Sequence, residues 1–214
     1  MIIIPQNLQN VYITVFLYSF LVFQIKPKNN LLKLIKYAMK NPPLIILASA
    51  SPRRIELFKK LNLPFKIEKA DIDEKPRLKE NALQMVKRLS FEKAKKISQK
   101  YRNQDCLIIA ADTTVILGKE ILGKPKDKKE AVKMLQKLSG RSHWVLTGIT
   151  ILNCKTNKKI VHVEKTKVFF RQLSYKEIID YVKSKEPFGK AGAYAAQEQG
   201  ALFIKRIEGD FYNV

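Results

Sequence analysis

Leu44-Ile45-Ile46-Leu47-Ala48-Ser49-Ala50-Ser51-Pro52-Arg53-Arg54-Ile55-Glu56-Leu57-Phe58-Lys59-Lys60-Leu61 is the stretch that decides how this chain is read. Leu44 to Ala48 is short, aliphatic and closed by small residues, which predicts a buried strand. Ile55, Phe58 and Leu61 recur at helical spacing, which predicts an amphipathic helix. Between them Ser51 stands where an N-cap belongs and Pro52 where the first helical residue belongs. A strand thus delivers two hydroxyls, two guanidiniums and a helix start to one place. The N–H groups and positive dipole end of a helix start attract anions, and the forked donors of Arg suit phosphate oxygens. The expectation is a seat for a polyphosphate. Taken alone, the stretch also fits an ordinary capped helix with two solvated arginines. Arginine is scarce in the chain, 8 residues against 33 Lys, and two of the 8 are adjacent at this helix start.

The 214 residues suit one domain, or one domain with an extension, and 46% apolar composition is enough for a core. A net charge of +22 ordinarily points to nucleic acid or a membrane surface. Here the excess is Lys scattered along the whole chain, as AT-rich codon usage also produces. There is no zinc-finger spacing and no aromatic RNA-binding signature, so nucleic acid is not expected as a partner. Cys106 and Cys154 stand far apart in sequence, each beside an apolar run, with no Cys-x-x-Cys or Cys/His cluster. They read as buried thiols of a reducing compartment rather than a zinc site, and sequence alone also permits a disulfide between them.

Residues 1–43 differ from the rest. No charge precedes Lys26 and no acid precedes Glu56. The apolar run Val11 to Phe23, as a helix, would span only about 20 Å of the roughly 30 Å hydrocarbon core. No early positive charge or clear cleavage site marks a secretory signal. The reading is an N-terminal extension left by an over-long gene model, with Met39 a natural start. A weak membrane anchor and a disordered or packed tail are the alternatives. A membrane partner is not expected, and the protein is placed in the cytoplasm.

From 44 to 214 no repeat or linker interrupts the chain. Phe65 to Ala70 alternates like a strand and leads into the acidic turn Asp71-Ile72-Asp73-Glu74. Asn81 to Arg102 is predicted helical. Leu107 to Ala111 is a second buried strand, expected to end at Asp112-Thr113-Thr114. Val115–Leu117 and Glu120–Leu122 flank Gly118-Lys119 like a hairpin. Asp127 to Leu138 reads as a helix with Asp127 as N-cap and Glu130 completing a capping box. His143–Leu152 and Lys159–Leu173 read as strands. Ser174–Ser184 reads as a helix capped by Ser174, with Glu177 at the third position. Gly189–Gly200 reads as a loop, and Ala201–Ile207 as a last strand. Strands alternate with helices, so the class is α/β with a mixed sheet.

Reactive groups gather after strands, where ligands of open α/β sheets bind. Carboxylates facing Lys and Arg suit metal-assisted hydrolysis of a phosphoanhydride: carboxylates hold a hard divalent ion and orient water, and cations offset charge on the leaving pyrophosphate. Singly, Asp112 fits a strand-end turn, Lys124 a solvated lysine and Asp71/Asp73/Glu74 an acidic surface turn.

Four motifs occur in order: Leu47-Ala48-Ser49-Ala50-Ser51-Pro52-Arg53-Arg54-Ile55-Glu56-Leu57, Ala111-Asp112-Thr113-Thr114-Val115, Gly123-Lys124-Pro125 and Gly192-Ala193-Tyr194-Ala195-Ala196-Gln197. Together they resemble the Maf family of nucleoside triphosphate pyrophosphatases, over residues 44–214. The resemblance implies a long mixed central sheet with flanking helices and two lobes around a cleft, as in inosine triphosphate pyrophosphatases. It implies hydrolysis of a nucleoside triphosphate to the monophosphate and pyrophosphate with a divalent cation, Mg²⁺ or Mn²⁺, and a homodimer. Arg53, Thr113 and Gln197 match positions that mark the dTTP/UTP branch. Asp112 matches the proton acceptor. Ser49, Ser51, Arg54, Lys93 and Lys124 are assigned to phosphate binding or catalytic support, and Glu74 with Asp112 to the metal. An amide such as Gln197 offers both a donor and an acceptor to a pyrimidine edge. A non-catalytic nucleotide- or nucleic-acid-binding regulator of cell division is the alternative. The family pattern continues past Val214 into a last helix that this sequence is expected to lack, and Glu198 stands where a small residue often follows the glutamine.

Overall fold

Aliphatic runs of β-branched and leucine residues build the middle of one mixed sheet. The structure, a computed structural model, describes residues 43–61 and 63–214; the readings made for residues 1–42 lie outside the described residues. Strands β1 (Leu44–Leu47), β2 (Phe65–Ile67), β3 (Cys106–Leu117), β4 (Glu120–Leu122), β5 (Ser142–Asn153), β6 (Lys159–Phe170) and β7 (Ile204–Glu208) share a sheet of order β2-β1-β3-β5-β6-β7, with β4 paired to β3. β1 runs parallel to β2 and β3, whereas β4 is antiparallel to β3 and β7 to β6. The helices are α1 (Pro52–Lys59), α2 (Ala82–Ser98, continued by a 3₁₀ turn at Gln99–Tyr101), α3 (Lys128–Leu138) and α4 (Tyr175–Lys183). This is the expected α/β class. Among the described residues no helix is long and apolar enough to cross a membrane.

Four boundaries differ from expectation. β3 does not stop at Ala111 but runs on to Leu117, because β-branched Thr113–Ile116 extend it and Val115–Leu117 pair with β4. β2 stops at Ile67 instead of Ala70 because its partner β1 ends at Leu47, which pairs with Ile67; beyond it the Glu68 carboxylate accepts from Lys100 Nζ and Tyr101 Oη, at 2.8 and 2.9 Å. The last strand starts at Ile204, since Gln199–Phe203 forms a 3₁₀ turn. β6 ends at Phe170 instead of Leu173, whereas Gly189–Gly200 is irregular as expected until Gln199 enters that turn, with Gly192 and Ala193 left-handed.

The capping signals are mostly realised. Ser174 and Glu177 form a reciprocal capping box on α4. Asp127 caps α3 by accepting from Glu130 N at 2.8 Å, but the Glu130 carboxylate accepts from Lys126 N rather than completing the box.

The chain divides into two compact units. One holds the described residues up to Asp73 with Phe91–Ala110 and Thr150–Val161. Its core packs Ile46, Ala48, Ile108 and Ala110 against Ala94 and Ile97 of α2, and on the other face Ile45, Ile109 and Ile151 meet Phe58 and Phe65. Cys106 and Cys154 are buried free thiols, and Cys154 N donates to Cys106 O at 3.0 Å. Burial pushes both thiols up, Cys106 to about 12. The other unit holds Glu74–Ser90, Ala111–Ile149 and His162–Val214. There α3 and α4 bury Leu135, Leu138, Ile178 and Val182 with Val115, Val168 and Phe170, each fully buried aliphatic side chain contributing about 1.5–3 kcal/mol. Ala82 and Val86 of α2 pack on Leu146 and Ile116. α2 lies so close to β5 at Gly148 that a Cβ there would collide with the Val86 carbonyl.

Candidate active site

Within the first unit the residues expected to seat phosphate follow β1. Ser51 is the N-cap residue of α1, with extended backbone and Pro52 directly after it, as its sequence predicts. Its side chain makes no capping hydrogen bond; instead Ser51 N donates to Ser49 Oγ at 3.2 Å. The turn is therefore folded by Ser49, a buried serine, while Arg53 and Arg54 are half-buried on the first turn of α1. α1 buries no side chain completely and is held through half-buried Phe58, whose ring meets Phe65 edge-on at 5.1 Å. Lys93, from α2, is 7% exposed, unusual for a lysine outside an ion pair or a functional site.

The second unit supplies Asp112, Thr113, Lys124, Glu74 and Gln197. Asp112, 8% exposed, sits in mid-strand and not at a strand end, three residues beyond Ile109, where the pairing with β1 stops. Alternation along a strand sends neighbours to opposite faces. Asp112 lies on the face it shares with Ile116, which packs on Val86 of α2. Thr113 takes the opposite face, where its hydroxyl lies 2.8 Å from that of Thr147. The expectation that both residues leave one strand end together is corrected by this alternation.

Glu74 and Lys124, 50 residues apart, come together: Lys124 Nζ donates to Glu74 Oε2 at 3.3 Å. Both are exposed, and such a pair contributes about 0–1 kcal/mol, so it opens easily. The turn carrying Glu74 is held by residues that sequence reasoning missed. Arg88 of α2 grips the Glu80 carboxylate with two bonds of 2.6 and 2.7 Å and donates to Lys75 O at 3.1 Å. The Arg88 guanidinium holds the Glu80 carboxyl below the usual carboxylate range.

The second, third and fourth motifs meet at Gly192. Its N–H donates to Gly123 O at 3.0 Å. Its φ is +69°, and a Cβ on it would stand only 2.9 Å from Val115 Cγ2, so the position admits no side chain. Beyond it Tyr194 is buried, its hydroxyl 2.6 Å from His143 Nε2. Burial pushes the Tyr194 phenol up and the His143 imidazole down to about 4. Among the described residues His143 Nδ1 has no hydrogen-bond partner. Gln197 emerges exposed after buried Ala195 and Ala196.

A family profile described as "Maf-like protein" matches residues 44–214. The chain belongs to the Maf family. Among Maf relatives, a protein named dTTP/UTP pyrophosphatase from Alkaliphilus oremlandii is 48% identical over 170 residues, 79% of this chain and 88% of its own. One of the same name from a Geobacillus strain is also 48% identical, over 79% of this chain and 89% of its own. One from Clostridioides difficile is 46% identical, over 79% and 87%. The match begins where β1 begins, so every Maf motif quoted above falls within the matched residues.

Among the described residues no three His, Cys, Asp or Glu side chains gather into a metal cluster. Glu74 and Asp112 offer hard oxygen donors of the kind that Mg²⁺ takes, one or two carboxylates completed by substrate phosphates and water. The donor set fits an ion that binds together with a polyphosphate.

Proposed function

We propose that this Maf protein is a nucleoside triphosphate pyrophosphatase that hydrolyses dTTP and UTP to the monophosphate and pyrophosphate. The observation that carries the reading is the similarity, over most of both chains, to relatives bearing that name. The residues suit the chemistry. The start of α1, with Ser49, Ser51 and Arg54, takes triphosphate oxygens through N–H, hydroxyl and guanidinium donors. Lys93 and Lys124 offset charge that grows on the departing pyrophosphate. Asp112 accepts the proton of the water that attacks phosphorus; its burial limits competing solvent and fixes its direction. Glu74 and Asp112 would hold Mg²⁺ or Mn²⁺, whose charge, when bound, screens the phosphate oxygens from the two carboxylates. Arg53, Thr113 and Gln197 set the choice of nucleotide, the Gln197 amide matching a base edge that both donates and accepts.

The working protein is read as a cytoplasmic homodimer built on residues 44–214. Cell fractionation and sedimentation test these two points. The decisive experiment is pyrophosphate release from a panel of nucleoside triphosphates with Mg²⁺ or Mn²⁺. Release fastest from dTTP and UTP is expected. Absence of release from every nucleotide would remove the enzyme reading and favour a nucleotide-binding regulator.

A further inference from the structure

Gln197 is carried by an irregular segment, Glu186–Gly200, whose bonding pattern is more elaborate than a surface loop requires. Lys190 is 8% exposed, and its ammonium donates to the Glu186 carbonyl at 2.6 Å and to Glu198 Oε2 at 3.2 Å. The Glu186 carboxylate in turn accepts from three donors. Oε1 takes Tyr181 Oη at 2.8 Å and Gly200 N at 3.1 Å, and Oε2 takes Gln199 N at 3.1 Å. Burial and then the Glu186 carboxylate push the Tyr181 phenol up, so it remains a donor. On the other side of Gln197, Tyr194 is fixed on His143 and Gly192 on Gly123. The residue before Gln197 is buried and the three after it are tied to Lys190 or Glu186. Gln197 itself is exposed.

Two consequences follow from charge and geometry. The amide of Gln197 projects from a backbone that is fixed on both sides, which removes the ordering cost a mobile loop would carry. The carboxylate of Glu198, directly beside it, is directed onto a buried ammonium. A freely moving carboxylate next to Gln197 would offer acceptor groups alone, where a uracil or thymine edge presents acceptors beside its single N–H donor. We propose that Glu186 and Lys190 are positioning residues for pyrimidine selection: they fix the Gln197 backbone and hold the Glu198 carboxylate away from the base. The proposal rests on the reading that Gln197 faces the base.

The test compares wild type, Gln197→Ala, Glu186→Gln and Lys190→Met. For each, kcat and KM are measured with dTTP, UTP, dCTP and dGTP, together with inhibition by inorganic tripolyphosphate, which reports on phosphate contacts without a base. Glu186→Gln removes one acceptor at near-constant shape, and Lys190→Met replaces a buried ammonium by an apolar chain of similar length. Each is expected to raise KM for dTTP and UTP about tenfold and to narrow their lead over dCTP and dGTP. The expected kcat and tripolyphosphate inhibition stay near wild type. Equal weakening of dTTP and tripolyphosphate would mark a general structural defect and overturn the proposal. So would wild-type KM values and ranking in both variants while Gln197→Ala changes the ranking. If Gln197→Ala itself leaves the ranking unchanged, the reading of Gln197 is what fails, and the proposal falls with it. If Glu186→Gln does not fold, Lys190→Met decides by the same criteria.

Discussion

Helix α1 and the segment Glu186–Gly200 invert the usual association of regularity with depth. α1 is a regular helix with a cap residue and a proline start, yet it completely buries none of its side chains. The segment 186–200 is irregular, yet Lys190 and Gly192–Ala196 lie in the interior. The first is written by neighbours in sequence: Ser49 accepts from Ser51 N and Pro52 presets the first helical turn. The second depends in addition on partners far away, among them His143 at a separation of 51 residues and Gly123, whose carbonyl takes the Gly192 N–H. Ala193, with φ at +62°, is held in a left-handed conformation that costs a non-glycine residue about 1 kcal/mol or more. Packing compensates there, whereas α1 requires no such help. On the function proposed above, a shallow helix suits a seat that phosphates enter from solvent, and a deeply pinned segment suits selection of a base.

The largest effect is expected outside both regions. Asp112→Asn keeps shape and removes the base, so kcat for dTTP should fall about 10²–10⁴-fold. Both binding regions are left intact, so the dissociation constant for dTTP without metal should stay near wild type, as titration calorimetry would report. Wild-type turnover in this variant would end the role given to Asp112.

Next in size is Arg54→Ala, which acts on the α1 seat. Losing charge-assisted bonds of about 1.5–3 kcal/mol should weaken dTTP about ten- to a hundredfold. Inorganic tripolyphosphate should weaken by a similar factor, which sets this region apart from 186–200, where only the base is concerned. Arg53→Ala should instead reorder the nucleotides. If Arg54→Ala spares tripolyphosphate, the contrast between the two regions does not hold.

The smallest effect is on stability and probes the pin beneath Tyr194. Tyr194→Phe leaves His143 Nε2 buried without its partner, at about 1–3 kcal/mol. Adding His143→Phe removes the stranded nitrogen as well, so the double variant should be more stable to urea than Tyr194→Phe alone. His143 also gives a pH signature. Its folded-state value, about 4, lies below the 6.5 of an exposed imidazole, so the unfolded chain takes up the proton first. Its contribution is fully present above about pH 6.5 and is lost as pH falls toward 4. Urea midpoints measured across that range should fall less steeply in the double variant than in wild type.

Much of this is legible in the sequence, for identifiable reasons. The β1–α1 turn, the β3–β4 hairpin, the capping box of Ser174 and Glu177 and the buried thiols all depend on contacts within a few residues or on hydrophobic runs, and the structure agrees with each. The sequence singles out Asp112 as the candidate base, but its setting is not legible: Ala111-Asp112-Thr113 looks like a strand end because polar residues follow an apolar run. Pairing of Val115–Leu117 with β4 carries the strand through them. Opposite faces for Asp112 and Thr113 then follow from the pleat.

By itself the sequence determined the α/β class, the β1–α1 turn with Pro52 at the helix start and the family motifs, because period, capping chemistry and local motif spacing are properties of short stretches. Tertiary structure alone decided that Lys124 reaches Glu74, that Arg88 fixes the turn carrying Glu74, and that Glu186 and Lys190 bind the ends of the segment bearing Gln197. Lys124 and Glu74 are 50 residues apart, and the other pairings close turns and loops rather than follow the period of one regular element. A buried ammonium or a carboxylate with three donors acquires its partners only when packing removes water from around it, and no local pattern in the chain encodes which groups will then be within reach.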